Sequence, residues 1–134
     1  AEANDLSLFQ SALTHDSFCI WPDITNRSNA SFKLFNTVEI MMPGFQMDFL
    51  KSILLLFDKS ISGFGIDLAF GKIAQAQNKK VGVIYDVRAK HHKPIDPSGG
   101  AYYEYMRSHG INPKLELWRL IEEYNCELQI NPVS

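Results

Sequence analysis

Between residues 46 and 87 the apolar residues change their period, and that change sets the fold class. From Gln46 onward Phe49, Leu50, Ile53, Leu54, Leu56 and Phe57 recur at spacings of one, three and four. They therefore share one helical stripe, suited to pack on a sheet. Ile66, Ala69, Phe70, Ile73 and Ala74 mark one face of a second helix over about Asp67 to Gln77, weakened slightly by Gly71. Lys80 to Val87 follows as a run rich in β-branched residues and reads as a buried strand. Helices, strand and then a histidine-bearing loop make an α/β order.

The flanks extend this pattern. Ser7 to Leu13 alternates loosely, and Phe32 to Met42 has the β-branched and aromatic character of a longer strand, ended by Pro43-Gly44. The tail predicts a helix from about Gly100 to His109 stopped by Gly110, and another opened by Asn112 as N-cap with Pro113 in its first turn. Cys126 to Ile130 reads as a final strand before Pro132. Three irregular stretches, Thr14 to Asn29, Lys59 to Gly65 and His91 to Gly100, are the loops on which binding groups gather. The expected fold is a mixed sheet with packed helices in one unit, 1–134.

With 46% hydrophobic and 21% charged residues the 134-residue chain can bury a core without disulfide or metal. A net charge of −2, with Lys79-Lys80 and Arg88 to Lys93 as its short basic clusters, predicts no nucleic-acid partner. The longest apolar run, Ile53 to Phe57, is too short to span a bilayer, so no membrane segment is expected. Cys19 and Cys126 lack any zinc or redox spacing and read as two buried thiols. Asn26-Arg27-Ser28 and Asn29-Ala30-Ser31 match the N-glycosylation tripeptide.

Phosphate loops, nucleophile elbows, H-E-x-x-H and EF-hand patterns are missing from the sequence. What remains is Gly63-Phe64-Gly65-Ile66-Asp67, where two glycines permit a sharp turn and Asp67 falls at a helix start. Asp67 is there either a general base facing a cleft or an ordinary N-cap. Glu39 interrupts an apolar strand; it is a site residue, or alternation points it to solvent. His91 and His92 follow a strand end, either as loop polarity or as a metal or phosphate contact. Tyr102, Tyr103, Tyr105 and Trp21 serve packing or stack on a sugar or base.

Taken in order, Val38-Glu39-Ile40-Met41-Met42-Pro43-Gly44-Phe45, Gly63-Phe64-Gly65-Ile66-Asp67, and Val81-Gly82-Val83-Ile84 with His91 resemble an uncharacterised family, domain of unknown function 707. Gln10-Ser11-Ala12-Leu13-Thr14-His15-Asp16-Ser17 also fits, with Ser11 where proline is expected, so the resemblance runs from about Leu6 to Pro94. That family is related to GT-A-type glycosyltransferases, whose nucleotide-sugar half precedes an acceptor-binding half. The resemblance implies that this chain is the C-terminal, acceptor-side half of such an enzyme, with a nucleotide sugar and an acceptor as partners. It implies Asp67 as the base, Glu39, Gly63, Phe64 and Gly65 as substrate-binding residues, and His91 as a metal ligand.

The departure is the Asp-x-Asp motif with which GT-A enzymes hold metal and diphosphate, for no such tripeptide occurs here. A divalent Mn or Mg ion is then expected only together with an upstream half, and this chain alone is expected to be inactive. The alternative is a non-catalytic carbohydrate- or protein-binding domain. Unpaired strand edges in a half-domain further predict self-association.

Overall fold

A computed structural model describes residues 1–25, 29–94 and 100–133. Its framework is a parallel strand pair, β1 (Leu6–Leu13) and β4 (Lys80–Ala89), at the centre of a four-stranded sheet of order β2-β4-β1-β3. The edges are short. β2 (Phe32–Leu34) runs antiparallel to β4, and β3 (Gly44–Phe45) antiparallel to β1. In β1 the side chains of Leu6, Leu8, Gln10 and Ala12 are all buried, so one face of the strand looks into the core.

Four helices accompany the sheet: α1 (Met47–Ser52), α2 (Ile66–Ala76), α3 (Gly100–Ser108) and α4 (Pro113–Tyr124). α2 carries the buried Ile66, Leu68, Ala69, Phe70 and Ala74 and returns into β4 through Asn78 and Lys79, whose N–H reaches the Ala74 carbonyl. This tight return makes α2 antiparallel to β4, so the first turn of α2 lies at the carboxyl end of the parallel strands. Phe45, Phe49, Phe57 and Phe70 form an aromatic cluster between β3, α1 and α2, with the Phe45 and Phe70 rings edge to face at 5.1 Å. α4 opens as expected, with Asn112 accepting from the N–H groups of Lys114 and Leu115 and Pro113 at the first position. Its Leu120 is fully buried against α2 and its surroundings.

Three expected elements are corrected. The strand predicted over Phe32 to Met42 ends at Leu34, because Phe35 bridges to Pro132 and the chain then turns across α2. Gly71 permits that crossing: a Cβ there would lie 2.2 Å from the Asn36 carbonyl oxygen. The single helix predicted from Gln46 to Phe57 breaks at Ile53 and continues as a 3₁₀ turn over Leu54–Lys59. The tighter turn leaves Ile53 and Leu56 inside but Leu54, Leu55 and Phe57 exposed. Cys126 to Ile130 is not a strand; the tail is fastened by Asn131 to Asn36 and by Val133 to Leu34.

Candidate functional site

The turn Gly63-Phe64-Gly65 is built for the position it occupies. Both glycines have positive φ, +80° and +84°, and a Cβ on Gly65 would press on the α4 backbone at Leu117. Glu116 of α4 clamps the chain just before it, accepting from Ser60 Oγ at 2.9 Å and from the N–H groups of Ile61 and Ser62 at 3.1 and 2.8 Å. The Tyr102 hydroxyl donates to the Ser62 carbonyl at 2.7 Å, and its ring stacks with Phe64. Sequence reasoning missed Glu116, whose place in the helix pattern marks it only as a solvated charge.

The turn delivers Asp67 into the first turn of α2. Asp67 is not the N-cap; Gly65 holds that position, and Asp67 is the second helical residue. Its carboxylate accepts the N–H of Leu68 at 2.9 Å and that of Ile40, while its own carbonyl accepts the Thr37 hydroxyl. Residues 37 to 40 are therefore laced to both ends of Asp67. Burial pushes the Asp67 carboxyl up to about 6, against these backbone donors, which favour the charge.

The same lacing carries Glu39 inward. Glu39 lies in no strand, so alternation does not turn it to solvent; it is 7% exposed. Its N–H donates to Oε1 of Gln10 at 2.6 Å, and Gln10 is 2% exposed on β1. Among the described residues Oε2 of Glu39 has no hydrogen-bond partner. Burial raises the Glu39 carboxyl to about 7, with the Asp67 charge adding to the rise and His91 opposing it. Asp67 ionises first, so its charge bears on Glu39.

Asp67 and His91, far apart in sequence, thus both bear on Glu39 near the carboxyl ends of β1 and β4, where open α/β sheets place ligand clefts. Cys19 joins them: its half-buried thiol is pushed up by burial and by the Glu39 charge. Gln10 and Cys19 were not singled out from sequence. A glutamine between Leu8 and Ala12 on the inward face of a strand was the available signal.

The His91 Nδ1–H donates to the Phe18 carbonyl, 2.8 Å away, and the His91 backbone N–H donates to the Ser17 hydroxyl. An imidazole held this way resembles a metal ligand oriented by a backbone carbonyl. The donor set does not complete a site, however. Among the described residues no three His, Cys, Asp or Glu side chains converge to hold a metal.

The remaining candidates sort by surroundings. Tyr102 and Tyr105 are exposed, Tyr103 is half-buried edge-on to Tyr102, and Trp21 packs against the core. Cys19 and Cys126 are free and half-buried rather than sealed in the core. Asn29 and Ser31 are exposed, while Asn26 to Ser28, and Ile95 to Gly99 in the expected His91 to Gly100 loop, lie outside the described residues. No described helix is long and apolar enough to cross a membrane. Comparison with protein-family models, curated proteins and solved structures yields no match to this chain.

Proposed function

We propose that this chain is the acceptor-side part of a nucleotide-sugar-dependent glycosyltransferase, in which Asp67 is the general base and Glu39 orients the acceptor hydroxyl. The observation that carries the reading is the meeting of two buried carboxyls, Asp67 and Glu39, both raised toward neutral pH by burial, beside the Gly63-Phe64-Gly65 turn. A carboxyl raised toward neutral pH is suited to exchange a proton at that pH. At pH 7 Asp67 is largely ionised and accepts the acceptor proton. The acceptor oxygen then bonds to the anomeric carbon as the bond from that carbon to the diphosphate breaks. Protonated Glu39 donates to the sugar hydroxyls around that oxygen.

The resemblance to the family described above supplies the sugar chemistry, and the carboxyl pair supplies the proton acceptor. In the proposed enzyme, the divalent ion and the diphosphate require carboxylates beyond these 134 residues; no step is assigned to His91. The test is transfer from a panel of nucleotide sugars by the full-length protein and its Asp67→Asn variant. Loss of a general base lowers the rate by roughly 100-fold or more. A folded variant that retains most of its activity refutes the assignment.

A second reading rests on the exposed ring of Tyr102, stacked with Phe64 beside the same turn. In that reading the chain binds carbohydrate on the aromatic face without turnover. Saturable glycan binding, unaffected by Asp67→Asn and lost in Tyr102→Ala, separates it from the first.

A further inference from the structure

A concavity of ≈ 420 Å³ opens along α2, between that helix, the start of β4 and the C-terminal tail. That volume lies in the range of small-molecule sites. Its walls are fixed rather than draped. Asn36 accepts from the Asn131 N–H at 2.8 Å, the Asn36 N–H reaches the Asn131 carbonyl, and Val133 donates to the Leu34 carbonyl. On the facing side Gly71 brings α2 against Asn36 and Thr37.

Three lysines, Lys72, Lys79 and Lys80, line this concavity against one carboxylate, Glu127. Lys80 is drawn to Asp5, 3.7 Å away, whereas Lys72 and Lys79 form no ion pair among the described residues. Lys72 is half-buried, and the Cys126 thiol, which also lines the concavity, is raised by burial while the Lys72 charge lowers it and that of Asp67 raises it. The α2 carboxyl end contributes roughly half a negative charge here, which is less than the lysines supply. Side-chain amides of Gln75 and Gln129 add neutral donors, and Leu68 and Val81 an apolar floor.

We propose that this concavity binds a small organic or inorganic anion, carboxylate or phosphate, gripped by Lys72 and Lys79. Asp67 and Glu39 do not line it, and its existence does not depend on the glycosyltransferase reading. It also gives a role to Lys79-Lys80, which the sequence alone presents as solvated loop charge.

The experiment titrates the full chain with inorganic phosphate and, separately, with citrate, following backbone amide shifts and the alkylation rates of the two cysteines. Saturable shifts at Gln75, Asn78 and Gln129 are expected, with alkylation of Cys126 slowed and that of Cys19 unchanged. The Lys72→Gln/Lys79→Gln double variant, shown to be folded by its melting curve, is expected to bind roughly tenfold or more weakly. Lys114→Gln is expected to bind as the parent does. Tighter phosphate binding assigns a phosphate ligand, and tighter citrate binding a carboxylate. Shifts that do not saturate, that spread equally to Lys51 and Lys114, or that survive in the double variant overturn the proposal.

Discussion

Glu39→Gln removes the charge that the fold holds least well, and its effect on stability has a definite sign at each pH. The folded carboxyl titrates at about 7 against 4.5 for a free glutamate, so the native state binds the proton more tightly. Stability from this group is fully present below the free value and is lost as pH rises through about 7. The shift corresponds to about 3 kcal/mol, at 1.36 kcal/mol per unit. Glutamine has no ionisation to suppress, but its NH₂ meets the same unpartnered surroundings as Oε2, at a cost of about 1 kcal/mol. Near pH 4 the variant should therefore equal the parent or fall about 1 kcal/mol below it. Near pH 8 it should be more stable by about 2 kcal/mol, or roughly 6–10 °C in melting temperature. Urea denaturation across this range measures the difference directly. A variant whose stability runs parallel to that of the parent at all pH values refutes the assigned burial of the Glu39 charge.

Three further substitutions probe the scaffold around the pair. Gly71→Ala places a Cβ 2.2 Å from the Asn36 carbonyl oxygen and should destabilise the fold by about 2 kcal/mol or more, read from the denaturation midpoint. Glu116→Gln retains one of the two acceptor oxygens and loses the charge, whereas Glu116→Ala leaves the three donors of Ser60, Ile61 and Ser62 without their acceptor; the alanine variant should lose about 2 kcal/mol and the glutamine variant less. Asn112→Ala removes the N-cap of α4 and should cost about 1 kcal/mol in the same assay.

What could be read from the sequence was whatever local periodicity or capping determines. β1, α2, β4 and α4 lie within a few residues of expectation because each has a strong apolar period or an explicit cap, such as Asn112-Pro113. The segment 35–43 escaped because its burial is set by partners far away. Thr37, Val38 and Glu39 are all buried in succession although they lie in no strand or helix. Gly71, Gln10 and Asp67 help to place them, through contacts about 30 residues distant in either direction. For the same reason Glu39 could be picked out as a costly acid in an apolar run, but its meeting with Asp67 could not be foreseen from alternation. The Asp67 position was misjudged by two residues because Gly65, through its positive φ, takes the cap itself.

The most direct measurement of the central claim is a carboxyl-carbon NMR titration of Glu39 and Asp67, in the parent chain and in Asp67→Asn. Midpoints of about 7 for Glu39 and about 6 for Asp67 are expected, with the Glu39 midpoint moving down when the Asp67 charge is removed. Midpoints for both groups in the ordinary carboxylate range, or a Glu39 midpoint indifferent to Asp67→Asn, would contradict a coupled, buried acid pair at the ends of β1 and β4.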